Sequence, residues 1–498
     1  MDVIAELDRI FNPRGIAIIG ASNRPGNLGY FFLSGFIQHG FDKHRICVVH
    51  PTETKVDGVM AYPTACDIPF DVDLAIVFAP RDAMPSVVSD CTTKGIKGIV
   101  ICTSGFGESG AEGMKLQEEI TRIARKGGSR IIGPNCVGIF CPETGLTNFA
   151  GIMPKKSGSA GMFSHSGGMS ISFPIAASGL GIHFNKSVSY GNECDLNSTD
   201  FLEYFGHDVK TEVIIGYVEG VSDGRRFLDV AKRVSKKKPV ILWKGGASYV
   251  GSRSAASHTG ALTGSPQVWD AVFKQTGMIK VDSEDEMLDC LQAFSYLPLP
   301  RGNRVGILSS TGGMGVAIAD ACVDYGLEVA RLSETTLERL SRVVSSVGTC
   351  INNPIDIGMA SSFDIKVSAK AIEALAEDDQ VDVIFKAIGG SNQDYIRTEV
   401  EALKGFGKPI VLISNIAMKV KMEEMKPVKG LAVYHAGRRA ALIVSKMVQY
   451  QRYLSEDSSN PMRDKNRRKS SAKTSQALAD TRQLEESLSA LSTIADHE

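Results

Sequence analysis

Three times along the chain, short β-branched runs alternate with stretches of helical periodicity. The first series has Gly15–Ile19, Arg45–Val49, Leu74–Phe78, Gly98–Ile101 and Ser129–Ile132, with amphipathic segments such as Pro85–Thr93 and Glu112–Lys126 between them. The second has Ser159–Phe163, Lys186–Ser189, Val213–Tyr217 and Pro239–Trp243. The third follows the linker Leu297–Asn303 with Arg304–Leu308, Glu328–Leu332, Val381–Ala387, Pro409–Ile413 and Leu431–Tyr434. A strand without a polar face has to be covered on both sides, and intervening helices supply the cover. The expectation is an α/β protein of three doubly wound domains, at residues 1–150, 151–300 and 301–453. Beyond them Ser455–Ser475 is charge-rich and almost free of apolar residues, so 454–498 is expected to be a disordered tail.

The chain carries 55 basic and 56 acidic side chains, a net charge of −1. Binding to nucleic acid or an anionic membrane needs a concentrated basic surface, so neither partner is expected. The 10 cysteines are scattered without a CxxC pair, which fits reduced thiols in a cytoplasmic protein rather than a disulfide framework. Asp2, Glu6 and Asp8 interrupt the N-terminus, which therefore does not read as a secretory signal, and apolar stretches elsewhere break before membrane-spanning length. Glycine is the outlier. There are 50, against 19 prolines and 7% aromatic residues, which points to tight turns and close backbone–ligand approaches.

Those glycines gather where strands run into helices. The first strand leads into Gly20-Ala21-Ser22-Asn23-Arg24-Pro25-Gly26-Asn27-Leu28-Gly29, which can set amide N–H groups and a helix start against an anion. Its glycine spacing is not GxGxxG, and the second strand ends in His50-Pro51 with no acid at its tip for a ribose. An NAD-dependent oxidoreductase is thereby disfavoured; Arg24, His50 and Lys55 suit a more heavily phosphorylated nucleotide. Two further turns share the strand–loop–helix setting, Ser164-His165-Ser166-Gly167-Gly168 and Thr311-Gly312-Gly313. Each can offer an amide nest and a helix dipole to a phosphoryl group.

Of the 9 histidines, none pairs with another at a zinc-ligand spacing, so no metal site is expected. His258 stands apart. It lies in a glycine- and serine-rich stretch after a strand, Gly251-Ser-Arg-Ser-Ala-Ala-Ser-His258-Thr-Gly260. An imidazole there can attack a phosphoryl group if a carboxylate orients its other nitrogen, and Glu219 at another strand end is the candidate. The residues alone leave His258 either such a nucleophile or a polar loop histidine.

Taken in order, several motifs resemble the nucleoside-diphosphate-forming acyl-CoA synthetases. They are Gly20-Ala-Ser…Gly29, Ser104-Gly-Phe-Gly-Glu108, Gly133-Pro-Asn-Cys-Val-Gly138, Ser164-His-Ser-Gly167, Gly191-Asn…Asp195, Ser257-His-Thr-Gly260, Thr311-Gly-Gly and Asn353-Pro-Ile-Asp356. The resemblance spans about residues 5–453 and is strongest to the α-type subunit. It implies a Rossmann-like CoA-binding domain, a succinyl-CoA-synthetase-like phosphohistidine domain and a third flavodoxin-like domain, the last two sharing the flavodoxin-like architecture. The implied reaction is acyl-CoA + phosphate + ADP ⇌ carboxylic acid + CoA + ATP.

By that resemblance His258 carries the phosphoryl group and Glu219 holds its ring. Gly20, Ala21, Ser22, Arg24, Gly26, Lys55, Asn135 and Cys136 line the CoA site, Cys136 without acting as a nucleophile. Ser164, Ser166, Gly167, Gly168, Thr311, Gly312 and Gly313 hold phosphate. Two positions depart from the family pattern: His50-Pro51-Thr52 replaces Asn-Pro-Lys, and His165 replaces the glutamine of Ser-Gln-Ser-Gly. The family's ATP-grasp module is not found after Asn303. ADP or ATP and Mg²⁺ are therefore expected on a separate β-type subunit, in a hetero-oligomer. The competing expectation is a non-catalytic sensor of CoA or acyl-CoA on the same scaffold, which would have no use for His258 and Glu219.

Overall fold

Buried apolar strands with helical cover do assemble into parallel sheets. The computed structural model describes residues 2–147, 149, 151–246, 248, 251, 265–361, 364–388, 407–414 and 431–458. Within them the strands form three sheets, of seven, six and six strands. The first contains β1 (Ile16–Ile19), β2 (Ile46–Val49), β3 (Lys55–Val56), β4 (Val59–Tyr62), β5 (Leu74–Val77), β6 (Gly98–Ile101) and β7 (Arg130–Ile132). Their order is β3-β4-β2-β1-β5-β6-β7, and only the β3–β4 pair is antiparallel. Every residue of β1, β2, β5 and β6 is buried, as continuous apolar runs require. The chain passes from β1 to β2 on one side while β5 pairs on the other, which opens a crevice at the carboxyl ends of β1 and β5.

The second sheet contains β8 (Gly138–Phe140), β9 (Ala160–Ser164), β10 (Phe184–Ser189), β11 (Val213–Val218), β12 (Val240–Lys244) and β13 (Ile279–Val281), in the order β13-β12-β11-β9-β10-β8. Its edge strand β8 runs antiparallel to β10. The chain therefore enters the second sheet before residue 150. The third sheet contains β14 (Arg304–Ser309), β15 (Glu328–Val329), β16 (Ile355–Asp356), β17 (Val383–Ile388), β18 (Ile410–Ser414) and β19 (Leu431–Tyr434), in the order β15-β14-β17-β18-β19 with β16 against β14. The strand expected over Glu328–Leu332 ends at Val329. There the Asn353 side chain takes over the ladder: it accepts from Ile307 N–H at 2.8 Å and donates to Val305 O and Ala330 O at 2.8 and 2.9 Å.

One apolar cluster runs through the first and second sheets, joining Leu7, Ile10 and Phe11 to Tyr204, Phe205 and Ile214. The Phe11 and Tyr204 rings stack at 5.2 Å. The third sheet has its own core around Leu308, Ile355, Ile372 and Leu375. It is tied to the second through the helix Glu284–Tyr296, where Arg439 bonds Asp289 at 2.6 Å and Tyr434 Oη donates to Asp289 O at 2.9 Å. All three sheets belong to one compact unit ending at Tyr450. A second unit begins at Gln451, and its described part is the end of the helix Gly437–Ser458. The expected disordered tail lies almost entirely outside the described residues, in which no helix is long and apolar enough to cross a membrane.

Candidate active site

The loop after β1 is shaped by Asn27. Its side chain caps the following helix at Tyr30 N–H (2.9 Å), accepts from Ser22 N–H (3.2 Å) and donates to Gly20 O (3.2 Å). Gly20 has φ +88°, and a Cβ there would stand 3.0 Å from the Phe78 carbonyl carbon, so both conformation and space demand glycine. Ala21 and Ser22 are buried, whereas Arg24 and Gly26 are exposed at the loop tip. Lys55 is exposed beside them, its carbonyl bonded by Asn23 Nδ2 at 3.0 Å. No acid stands at the tip of β2 itself, which ends at Val49. The chain doubles back at Pro51, and Glu53 accepts from Asn23 Nδ2 at 3.2 Å. His50 Nδ1 is taken up by the Thr52 and Glu53 amides.

Asn135 and Cys136 follow β7, where Asn135 adopts φ +58° and its amide donates to Thr103 O at 3.0 Å. Cys136 is buried, with its thiol donating to Ile101 O at 3.4 Å. This loop is pressed against Gly191, where an added Cβ would meet Pro134 O at 2.2 Å and Asn135 O at 2.3 Å. Asn192 extends the contact, donating from its amide to Pro134 O and from its side chain to Glu108 and Gln117. Burial alone would raise the Glu108 carboxyl. The Gly105 amide and Asn192 side chain overcome that and hold it below the ordinary carboxylate range.

The second Gly-rich turn sits at the carboxyl edge of the second sheet. Ser164 Oγ donates to Ser166 O (2.8 Å) and accepts from Ser166 N–H (3.0 Å), and Ser166 Oγ caps the helix Gly167–Gly179 at Met169 N–H (3.4 Å). Gly167 leaves no room for a side chain, since a Cβ would lie 2.5 Å from Val137. Gly168 is different: it is exposed, and a Cβ there would meet only Ser166 Oγ, at 3.8 Å. Neither packing nor conformation requires glycine at Gly168.

Strand register puts the other groups at the same edge. Tyr217 of β11 stands opposite Ser164, and Val218 opposite Lys244. Glu219, one residue past β11, is buried, donates its backbone N–H to His165 Nδ1 at 3.3 Å, and receives the Tyr217 hydroxyl at 3.4 Å. Burial and Glu219 push the Tyr217 phenol up to about 12. Lys244 is buried with its Nζ 5.4 Å over the Trp269 ring, and burial pulls the ammonium down to about 8 against the attraction of Glu219. His258 lies outside the described residues, in the connection that leaves β12 just past Lys244.

The third turn repeats the second. Ser309 Oγ donates to Thr311 O (2.9 Å) and accepts from Thr311 N–H (3.2 Å), before the helix Gly312–Asp324. Thr311, Gly312 and Gly313 are all exposed, and a Cβ at Gly313 would meet nothing within 4 Å. Asp356 stands by this turn, within 3.3 Å of a Cβ built on Gly312. The structure thus gathers the predicted residues into three clusters, one per sheet edge. The first holds Gly20–Gly26 and Lys55, the second Ser164–Gly168 and Glu219, and the third Thr311–Gly313. Asn135 and Cys136 stand apart from all three, in the loop after β7 that packs against Gly191. Glu53, Glu193 and Lys244 were not foreseen, because an isolated acid or lysine past a strand end carries no motif; only folding puts them beside the turns.

Known proteins share these features. A family model described as a CoA binding domain matches residues 14–142, and one described as a succinyl-CoA ligase like flavodoxin domain matches 157–294. The α subunit of ADP-forming acetate–CoA ligase II from Pyrococcus furiosus is 39% identical over 453 residues, covering 89% of this chain and 97% of that subunit. The ADP-forming acetate–CoA ligase of Methanocaldococcus jannaschii is 38% identical, over 71% of this chain but only 49% of its own length. Among solved structures, the dinucleotide-forming acetyl-coenzyme A synthetase 1 of Ca. Korarchaeum cryptofilum, in complex with phosphate and ADP, has a TM-score of 0.81 and 31% identity, covering 91% of this chain and 98% of that one. The fold and its sheet-edge turns are those of an acid–thiol ligase chain. It belongs to the nucleoside-diphosphate-forming acyl-CoA synthetases, among the α-type chains of the ADP-forming acetate–CoA ligases.

Proposed function

We propose that this chain is the α-type subunit of an ADP-forming acyl-CoA synthetase and carries the acyl-phosphate and phosphohistidine steps. Phosphate oxygen attacks the thioester carbonyl, CoA leaves as its thiol, and an acyl phosphate remains. An imidazole nitrogen of His258 then attacks phosphorus and the carboxylic acid departs. The phosphoryl group passes finally to ADP. Glu219 takes the proton-bearing nitrogen of the ring and so raises its nucleophilicity. Gly20, Ala21, Ser22, Arg24, Gly26 and Lys55 hold the CoA nucleotide, with Asn135 and Cys136 toward its thioester end. Ser164, Ser166, Gly167 and Gly168 receive phosphate, and Thr311, Gly312 and Gly313 offer a second stop of the same shape. The 97% coverage of a relative that is itself an α subunit supports a separate β-type ATP-grasp chain, which would bring ADP and Mg²⁺ in a hetero-oligomer.

The observation that carries this reading is Gly168. In a helix's first turn, glycine costs up to about 1 kcal/mol relative to alanine. Here neither backbone nor neighbours need it, while an approaching tetrahedral oxyanion does. The test is incubation of the full-length chain with acetyl-CoA and radiolabelled inorganic phosphate, and separately with a β-type chain, labelled ATP and Mg²⁺. An acid-labile, alkali-stable label is expected on wild type and absent from His258→Ala. Equal labelling of the two would overturn the assignment.

A further inference from the structure

His165, in the second Gly-rich turn, carries an imidazole whose chemistry depends on its tautomer, and its neighbours determine that tautomer. It is 3% exposed, and its ring packs 4.6 Å from that of Tyr190. The backbone N–H of Glu219 points at Nδ1 from 3.3 Å. A backbone amide only donates, so Nδ1 is the unprotonated nitrogen and the ring proton sits on Nε2. Nε2 stands 3.5 Å from Glu193 Oε2, a close polar neighbour rather than a hydrogen-bond partner. The Tyr190 hydroxyl lies 3.1 Å from Nδ1, on the side of the same lone pair.

Glu193 is itself held in place. Its φ of +49° is costly for a residue with a side chain, and the conformation is fixed by its amide bond to Tyr190 O and by Ser198 N–H donating to Oε2, both at 3.0 Å. The chain of contacts runs from Glu193 through the imidazole to the main chain of Glu219, whose carboxylate receives Tyr217 and feels Lys244.

We propose that His165 is the positioning residue for Glu219: beside Glu193, it anchors the Glu219 backbone beside the phosphate turn rather than accepting a phosphoryl group itself. With Nδ1 engaged by the Glu219 amide, the ring proton is on Nε2 and the neutral ring offers phosphorus no lone pair.

The inference rests on the function proposed above, and one experiment separates the two. The full-length chain is labelled with acetyl-CoA and radiolabelled phosphate as wild type, His165→Leu, His165→Asn and His258→Ala. Asparagine keeps an acceptor where Nδ1 stands; leucine does not. His165→Leu is expected to slow labelling at least about tenfold with the half-saturating phosphate and acetyl-CoA concentrations unchanged, and His165→Asn to recover most of the rate, because misplacing a catalytic group acts on turnover. A leucine variant at wild-type rate, a loss expressed only as weaker phosphate binding, an asparagine variant no better than leucine, or label retained by His258→Ala and lost from the His165 variants would each overturn it. Hydrogen exchange of the Glu219 amide gives an independent reading. It should speed up in His165→Leu and stay protected in His165→Asn; unchanged exchange overturns the positioning role. Absence of label from wild type would instead count against the proposed function.

Discussion

At residue scale, two glycines carry information that their neighbours do not. Gly20 and Gly167 are explained by the protein itself, through a positive φ and a Val137 contact, and both are tightly constrained. Gly168 and Gly313 are explained by neither. Replacing each with alanine is expected to leave the fold intact and raise stability by about 0.5 kcal/mol, measured by denaturant midpoint. The same variants should weaken phosphate use in the labelling assay. Wild-type half-saturation by phosphate in both would show that the space serves no anion. Such residues were legible in the sequence as turn glycines, but which of them face open space was not. That depends on Val137, just before β8, and Asp356 of β16, both far from their glycines in sequence. His165 stood out only as a departure from a pattern, since its neighbour Glu193 is fixed by a backbone conformation no local composition announces.

At the scale of elements, the strands were the most legible part. β6 and β19 have the expected bounds, and β1, β2 and β9 shift by one residue at one or both ends, because fully buried parallel strands are unbroken apolar runs. Strands β3, β4, β8, β13 and β16 were missed; all but β4 have two or three residues, too few to establish a periodicity, and β4 mixes buried Val59 and Ala61 with exposed Met60 instead of forming an apolar run. The β14–β15 edge shows how a side chain can act as backbone. Asn353 satisfies Ile307 N–H and two carbonyls across it. Asn353→Leu is expected to strand these groups and cost about 2–3 kcal/mol, read as a lower midpoint in urea with the first two sheets' signals retained. A midpoint within error of wild type would mean that water replaces the amide.

For the whole molecule, the joint between the first two sheets centres on Asp195. Its buried carboxylate accepts from Arg125 Nε (2.8 Å), Arg130 Nε (2.9 Å), Arg130 Nη2 (3.2 Å) and Ile131 N–H (2.8 Å). Asp195→Ala leaves the Ile131 N–H unpaired and removes one of the two carboxylates that hold Arg130, the other being Glu6, at a cost of about 1–3 kcal/mol. Calorimetry should show a lower unfolding temperature; an unchanged transition would mean that the apolar cluster alone holds the sheets together. The sequence offered Asp195 as a motif member but not as this joint, because its arginines lie far upstream.

β8 has a practical consequence for anyone dividing the gene. A fragment ending near residue 142 would carry away the strand that pairs with Ser187–Ser189, and the remaining piece would present β10 as a bare edge. Such edges recruit other chains. The two fragments should precipitate when expressed apart and become soluble when produced together, as complementing halves of one interlocked product.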